Sequence, residues 1–408
     1  MPQRAFVLAL AALMLPLAAC GETDPPSAAT EDIVFIRSGN GVAVMQVAGG
    51  EAGPLYADEA VPTTDWSTVV KAETTGYVGT HLAGVDPATG DERWSMDVSD
   101  GLGVTVVSHD GAMAALSPLN QPIYSGGRER TELVVANGPS GEQQSFDLAG
   151  NFEPETFSTD HSSLFVISFT PARNPSKYQV RRLDLASGKV EDVFTPHGEL
   201  QGTMGGSSRV QTANPDGTRL YTLYTVDGGK NGTDRAFIHV LDLEQQWAHC
   251  IDLPAEFVPS ARRATAITTS PDGSVFVANT MTGALAELDP VGLAVARVTN
   301  IDMPFGRTAS SAVADASTLY LATGAEAIAV DIGSLTPKGL WTVDGEITGL
   351  QVTGDGKRLY LGLHDYLAQL DVATGEIATI DAPGIDNIRR FGPALQQVTI
   401  GDFYKCAC

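Results

Sequence analysis

The feature that most constrains this chain is a four-part pattern between Glu346 and Ile380. It contains four short runs of strand-forming residues, at 347–352, 359–363, 367–370 and 377–380. Turn signals separate the runs, and Asp355-Gly356 is the clearest because glycine tolerates the positive φ of a tight turn. Four strands of this length cannot bury both of their faces alone. The unit therefore requires copies of itself on either side.

The same pattern recurs along the chain, most visibly as the turn between the third and fourth runs. These turns begin at eight positions spaced 39 to 58 residues apart, which are Val47, Asp86, Asn137, Asp184, Asp242, Asp289, Asp331 and Asp371. Repeats of about 40–50 residues with four short strands each are typical of a β-propeller, in which every repeat is one blade of a ring. The sequence therefore predicts an all-β chain with this architecture.

The number of blades depends on how the two ends of the chain pair. The first unit begins with the run 33–37 and lacks an innermost strand, whereas the run 395–400 is left over near the C-terminus. Pairing the two completes a unit and removes exposed sheet edges. We predict eight four-stranded blades over residues 33–401, with seven as the alternative, closed into a ring by N- and C-terminal strands.

Three segments resemble known propeller repeats. Residues 270–279 (SPDGSVFVAN) and 214–221 (NPDGTRLY) are similar to the repeats of WD40-like, YVTN-type surface propellers. Residues 86–94 (DPATGDERW) resemble the repeat of quinoprotein dehydrogenases and of the outer-membrane assembly propeller lipoprotein. These resemblances imply the fold more than the activity, because both repeats occur in enzymes and in binding proteins. Quinoprotein dehydrogenases use adjacent cysteines, which this chain lacks, so we expect no cofactor.

Residues 1–19 predict an export signal. Arg4 precedes an apolar stretch, 5–19, that is too short to span a bilayer as a helix. The sequence Leu17-Ala18-Ala19-Cys20 resembles the bacterial lipoprotein cleavage box, which implies cleavage before Cys20 and lipidation of its thiol. Residues 20–32 are polar and predict a flexible tether. We expect an extracytoplasmic protein anchored by lipid to a bacterial cell membrane.

The formal net charge of −24 argues against nucleic acid and anionic lipid as partners for the bulk of the protein. Basic residues nevertheless concentrate in three long connections between second and third strands, at 119–131, 169–178 and 225–235. Six of the 25 basic residues fall in these segments, namely Arg128, Arg130, Arg173, Lys177, Lys230 and Arg235. Such connections emerge on one face of a propeller. We therefore predict a basic patch on blades 3–5 that binds a protein or an anionic envelope polymer.

Potential metal ligands are present but sparse. Cys406 and Cys408 lie in the C-terminal tail, 402–408, and two thiols alone do not make a closed site. Asp227, Asn231 and Asp234 are spaced loosely like a calcium loop that lacks the bidentate Glu. The seven histidines form no HxH or HExxH pair. We predict no resident metal. With Cys250 as the third remaining cysteine, one disulfide and one free thiol are expected.

Enzyme motifs are also missing from the sequence. It contains no GxSxG elbow or glycine-rich phosphate loop, and no lactonase acid or base maps onto particular residues. We therefore predict a monomeric, non-enzymatic binding scaffold. The alternatives are a zinc or copper carrier, and a lactonase-like or quinoprotein-like enzyme.

Overall fold

The fold is taken from a computed structural model of the chain. The described residues are 33–38, 41–47, 51–56, 60–74, 79–99, 101–118, 126–200, 202–205, 208–226, 234–258, 264–302, 310–364, 366–381 and 390–392. By contacts the chain divides into residues 1–31 and 32–408, and all of the described residues belong to the second unit. The predicted signal, tether and tail lie outside the described residues, as do Cys20, Asp227, Lys230, Asn231, Cys406 and Cys408.

The described residues form eight four-stranded antiparallel sheets, which confirms the predicted all-β propeller. We number the sheets as blades 1–8. Blade 1 contains β1 (Ile33–Ser38), β2 (Gly41–Gln46), β3 (Glu51–Tyr56) and the last strand, β32 (Arg390–Gly392). Blade 2 contains β4 (Val61–Pro62), β5 (Val69–Thr74), β6 (Thr80–Val85) and β7 (Glu92–Val98). Blade 3 contains β8 (Leu102–Val107), β9 (Met113–Pro118), β10 (Arg130–Asn137) and β11 (Glu142–Ala149). Blade 4 contains β12 (Asn151–Phe157), β13 (Ser163–Thr170), β14 (Lys177–Asp184) and β15 (Val190–Asp192).

The second half of the ring repeats this order. Blade 5 contains β16 (Ser208–Ala213), β17 (Arg219–Val226), β18 (Arg235–Asp242) and β19 (Trp247–Asp252). Blade 6 contains β20 (Thr265–Thr269), β21 (Val275–Asn279), β22 (Ala284–Asp289) and β23 (Ala294–Asn300). Blade 7 contains β24 (Ser310–Ala314), β25 (Thr318–Thr323), β26 (Glu326–Asp331) and β27 (Thr336–Thr342). Blade 8 contains β28 (Gly349–Val352), β29 (Arg358–Gly362), β30 (Tyr366–Asp371) and β31 (Ile377–Asp381). A 3-10 turn, Ala255–Phe257, follows blade 5.

Burial follows the position of a strand within its blade. The second strand of blade 6, β21, is buried at every residue because neighbouring blades cover both of its faces. The fourth strand, β23, alternates between exposed and half-buried residues, as expected for the outer edge of a sheet. This gradient places the first strand of each blade at the centre of the ring and the fourth at its rim.

The seams between blades are apolar. In the described residues eight clusters of buried side chains are found, and each joins two successive blades. Blade 8 meets blade 1 where Tyr360 packs with Ile36, and blade 1 meets blade 2 where Val42 packs with Trp66 and Val69. The seams therefore run around a closed ring, and burial of their apolar surface is the main force that holds it together.

The ring is closed by the two ends of the propeller, as predicted, but with a different C-terminal segment. The strand β32 pairs antiparallel with β1, with Phe391 opposite Ile36. The sequence suggested the run 395–400, the strand left over near the C-terminus, and that run lies outside the described residues. The strand that pairs with β1 begins at Arg390, five residues before the suggested run. Its position is set by register with β1 and not by hydrophobicity.

Antiparallel order gives the propeller two distinct faces. The first-to-second and third-to-fourth connections emerge together on one face, which we call the turn face. The second-to-third connections and the links between blades emerge on the other, which we call the loop face. Within the described part of the chain, none of the helical segments has the length and hydropathy needed to traverse a bilayer.

Candidate partner-binding site on the loop face

The strand bounds confirm that blades 3–5 have the longest second-to-third connections. These connections cover residues 119–129, 171–176 and 227–234, whereas the corresponding connections of blades 6, 7 and 8 cover 280–283, 324–325 and 363–365. The described parts are 126–129, 171–176 and Asp234. Blades 1 and 2 have connections at 39–40 and 75–79, so the three longest connections lie in adjacent blades on the loop face, and that of blade 4 is one residue longer than that of blade 2.

The connections of blades 3 and 4 are joined to each other by backbone hydrogen bonds. The N–H of Arg128 donates to the carbonyl oxygen of Ala172 at 3.1 Å, and the N–H of Asn174 donates to that of Gly126 at 3.4 Å. The side chain of Asn151 also donates from Nδ2 to the Ala172 oxygen, at 3.3 Å. We call residues 126–129 and 171–176 the ledge. Its two halves are fixed against one another.

Two glycines allow this close approach. Gly126 and Gly127 have φ of +84° and +63°, in the left-handed region where residues with a Cβ are strained. A Cβ on Gly126 would meet nothing within 4 Å, whereas a Cβ on Gly127 would overlap the carbonyl oxygen of Ala172. The Gly-Gly pair is therefore the sequence signal for a close backbone contact, and it was missed in the prediction of this site.

Two of the predicted arginines stabilise the ledge. The guanidinium of Arg128 is half-buried and donates to the carbonyl oxygen of Phe152 in the inner strand of blade 4. Arg173 donates from Nε to Glu129 Oε1 at 2.8 Å, which links the two halves of the ledge through an exposed ion pair. Glu129, like Gly127 and Ala172, was not singled out from the sequence, because its role depends on a contact between blades.

The remaining basic residues have different surroundings. Arg130 forms a bidentate pair with Asp147 on the neighbouring strand and lowers the pKa of that carboxyl. Arg235 donates to Asp252 at 2.6 Å and lies over the ring of Phe237. Lys177 is exposed and forms no ion pair with any residue that the structure describes. Four of the six basic side chains thus contact carboxylates or carbonyls, and the site is a rigid polar surface more than a field of unpaired positive charge.

Metal-binding groups are not assembled. Among the described residues there is no group of three His, Cys, Asp or Glu side chains that could hold a metal ion. Asp234 is described, but the other members of the loose calcium-like loop are not. Cys250 is exposed on the outer strand of blade 5. It therefore lies apart from the ledge.

The histidines at the turns connect neighbouring blades. His161 Nε2 lies 3.2 Å from Asp110 Oδ1, and His109 Nδ1 contacts the hydroxyl of Thr64. His81 lies elsewhere, on β6, with its Nδ1 3.1 Å from Asp97 Oδ1. His109 also interacts electrostatically with Asp65 of blade 2 and with Asp216 of blade 5. The contacts of His109 and His161 therefore join the turns of several blades, which fits a structural role at blade junctions.

The turn face carries a series of carboxylates fixed by hydrogen bonds. Burial raises the pKa of Asp110, but hydrogen bonds from the Ser108 hydroxyl and the Ala112 N–H outweigh it, and the pKa lies below its ordinary value. Hydrogen bonds from the Thr353 hydroxyl and the Lys357 N–H lower the pKa of Asp355 to about 2. The aspartates of the first-to-second turns whose pKa is lowered in this way are Asp65, Asp110, Asp160, Asp216, Asp272 and Asp355. At neutral pH this face is negatively charged.

Comparison with known proteins gives the fold and no family. No protein-family model and no curated protein matches the sequence. Among solved structures, the chain is similar to Citrobacter koseri AztD, with a TM-score of 0.54, 10% identity, and coverage of 90% of this chain and 98% of that one. It is similar to dihydro-heme d1 dehydrogenase NirN in complex with DHE, with a TM-score of 0.53, 15% identity, and coverage of 91% and 75%. It is also similar to Saccharomyces cerevisiae Sqt1, with a TM-score of 0.50, 10% identity, and coverage of 78% and 84%.

These similarities support one class-level statement: the protein is a β-propeller. At 10–15% identity they say nothing about its ligands. The particular repeat type, YVTN or quinoprotein-like, stays a resemblance of the sequence. The surfaces of the chain itself are what bear on its function.

Proposed function

We propose that this protein is a lipid-anchored, extracytoplasmic, non-enzymatic scaffold that binds a protein partner through the ledge on its loop face. The observation that carries the proposal is the backbone hydrogen bonding between the connections of blades 3 and 4. Surface connections are ordinarily mobile, and ordering them has an entropic cost. A ledge that is already ordered avoids that cost on binding, and this is a property of a preorganised recognition surface.

The charge pairing favours a protein over an anionic polymer. A polymer with repeated negative charges would be held mainly by unpaired cations and would be sensitive to salt. On this face Arg130, Arg173 and Arg235 already have carboxylate partners. A protein can instead recognise the fixed shape and hydrogen-bonding groups of the ledge.

The test is a charge exchange across the ledge. We expect Arg173→Glu and Glu129→Arg, each alone, to reduce the amount of partner captured from the native cell envelope, because each places like charges at the ion pair. The double variant, Arg173→Glu with Glu129→Arg, restores an ion pair and should restore capture. Arg128 is left unchanged because its half-buried guanidinium supports blade 4.

Two results would contradict this proposal. Capture that is equal in all four proteins would show that the ledge is not the contact surface. Capture that collapses between low and high salt, and that depends on Lys177, would instead favour an anionic polymer as the partner. Melting temperatures of the variants, measured alongside, exclude misfolding as the cause of a loss.

The anchor has its own test. We expect the mature protein to begin at Cys20 and to carry lipid, which the intact mass of the purified protein would reveal. Cys20→Ser should leave the chain unlipidated and abolish its membrane association. A Cys20→Ser protein that stays in the membrane would contradict the lipoprotein assignment.

A further inference from the structure

The rim of the turn face around blades 4–6 exposes large apolar side chains. Phe194 is 50% exposed and Leu200 is 58% exposed, both in the link between blades 4 and 5. Val291 is 87% exposed, in the third-to-fourth turn of blade 6. Together with the half-buried Trp247 between them, these residues form what we call the apolar rim.

The link between blades 4 and 5 holds two of these residues in a tight hairpin. Phe194 and Leu200 form an antiparallel bridge, and the Thr195 N–H donates to the Glu199 carbonyl oxygen at 2.7 Å. The hairpin is attached to the outer strand of blade 5, because the Ala248 N–H donates to the Phe194 carbonyl oxygen at 2.9 Å. Trp247 begins that strand, directly after a third-to-fourth turn. Links between blades generally lead to the loop face, but this one leaves blade 4 after only the three residues of β15, and its Phe194 is level with Trp247 at the turn-face end of β19.

Arg219 connects Trp247 to Val291. Its guanidinium carbon lies 5.3 Å from the centroid of the Trp247 ring, and its Nη1 donates to the carbonyl oxygen of Pro290 at 2.6 Å. The same guanidinium pairs with the buried carboxylate of Asp242 at 2.9 Å, which fixes its position. These contacts connect Trp247 of blade 5 to the turn of blade 6 that carries Val291.

Val291 differs from its equivalents in the other blades. At the third position of this turn, blades 2, 3, 4, 5, 7 and 8 carry Ala88, Pro139, Ala186, Glu244, Gly333 and Ala373. The turn holds Val291 outwards, because Asp289 accepts hydrogen bonds from the N–H groups of Val291 and Gly292, both at 2.9 Å. At 87% exposure this side chain contributes little to the fold, and it gains significance as one of a group of exposed apolar residues.

The first described strand begins at this same face. The strand β1 occupies the second position in blade 1, so its first residue, Ile33, lies at the turn face. Twelve residues separate Ile33 from Cys20, and such a segment reaches at most about 40 Å when extended. If Cys20 is lipidated, as the proposed function states, the lipid is joined to the propeller through a residue at the turn face.

We propose that the apolar rim, Phe194, Leu200, Trp247 and Val291, docks on the surface of a zwitterionic lipid bilayer and turns the ledge on the opposite face towards its partner. This inference rests on the proposed lipid anchor. Separate apolar side chains on protruding turns can enter the interfacial zone of a bilayer, where tryptophan is also favoured. The anchor supplies a high effective concentration, so the rim needs only a small affinity to orient the propeller.

Charge decides which lipids fit. The turn aspartates have lowered pKa values and remain ionised at neutral pH, as described for Asp110 and Asp355. An anionic bilayer surface would repel them, whereas a zwitterionic surface would not. Vesicles of zwitterionic phosphatidylcholine are therefore the test surface, and vesicles of anionic phosphatidylglycerol are the comparison.

The experiment uses the tryptophan on the rim as its own reporter. The full lipidated chain is reconstituted in phosphatidylcholine vesicles whose acyl chains are brominated, since bromine quenches only tryptophan that lies at the membrane. We expect quenching in the natural protein and in Trp341→Phe, and loss of most of it in Trp247→Phe. A Phe194→Ser/Leu200→Ser/Val291→Ser variant should also lose quenching while its lipid keeps it on the vesicles. Leu340→Ser, which changes a 57% exposed residue on the outer strand of blade 7, should behave as the natural protein.

Vesicle flotation separates failure of the rim from failure of the anchor. A natural chain that does not float with the vesicles overturns both the anchor and the docking. A chain that floats, but whose quenching is absent or is unchanged by Trp247→Phe, overturns the docking alone. Replacing phosphatidylcholine with phosphatidylglycerol should weaken quenching at low salt. Equal or stronger quenching would overturn the assignment to zwitterionic lipid.

Discussion

Two adjacent glycines of the ledge, Gly126 and Gly127, are predicted to lose different amounts of stability when each is replaced by alanine. Gly126→Ala and Gly127→Ala both place a Cβ on a residue with positive φ, which costs about 1–2 kcal/mol. Both also restrict the unfolded chain to the same extent. Only the Cβ at position 127 overlaps the Ala172 carbonyl oxygen, whereas the Cβ at 126 meets open space. The difference between the two variants therefore isolates the contact between the connections.

The size of that difference follows from the hydrogen bonds at stake. Moving Ala172 away breaks the bonds that its oxygen accepts from Arg128 N–H and Asn151 Nδ2, and it strains the bond from Asn174 N–H to Gly126. At about 1 kcal/mol each, the loss is about 2–3 kcal/mol beyond the backbone strain. We therefore expect Gly127→Ala to destabilise by about 3–5 kcal/mol and Gly126→Ala by about 1–2 kcal/mol.

Urea unfolding followed by tryptophan fluorescence measures both free energies. Amide hydrogen exchange adds a local readout, because the Arg128 and Asn174 amides should exchange faster in Gly127→Ala than in Gly126→Ala. Capture of the partner should fall with Gly127→Ala and persist with Gly126→Ala. Equal destabilisation and equal exchange in the two variants would refute the account of a hydrogen-bonded, rigid ledge.

Three further predictions concern the ring. The folded pKa of Asp355 lies at about 2, below its unfolded value, so its contribution to stability is complete above about pH 4 and is lost as the pH falls towards 2. Asp355→Asn should therefore make acid unfolding less steep in this window, and an unchanged profile would count against the turn hydrogen bonds. Arg219→Met removes the guanidinium partner of Asp242, whose side chain is only 4% exposed, and should lower the free energy of unfolding by about 3 kcal/mol. Lys357→Met removes one partner of an exposed ion pair and should lower it by under about 1 kcal/mol. Similar urea midpoints for these two variants would contradict this. Removal of 393–408 should preserve the melting temperature, whereas removal of 390–408 should lower it because β32 is deleted. If removal of 393–408 lowers the melting temperature as much as removal of 390–408 does, the closing strand lies elsewhere.

The architecture could be predicted from the sequence because its signals are local. Asp-Gly turns such as Asp355-Gly356 and the recurring third-to-fourth turns are set by the conformational needs of a few neighbouring residues, and their spacing fixes the repeat. The closing strand was placed at 395–400 and found at Arg390–Gly392. Its identity depends on register with β1, which lies more than 350 residues away in the sequence. Local hydrophobicity carries no information about that register.

The candidate site could be placed but not understood from the sequence. Long connections in blades 3–5 were visible, and so was their excess of arginine. The sequence could not show that Glu129 pairs with Arg173, or that Arg130 pairs with Asp147, because these pairs form between separate strands or blades. The hairpin at Phe194 was also missed, since it falls in a link between blades that has no repeat signal.

The central claim is that the ledge on the loop face contacts the partner. The most direct test is to place a photo-reactive residue at Lys177, beside the ledge, or at Ala373, on the turn face, and to irradiate the protein in its native envelope. Both positions are exposed in the structure. Protein adducts that form from position 177 and not from position 373 are the predicted result. Protein adducts that form from position 373 and not from position 177 would contradict the account.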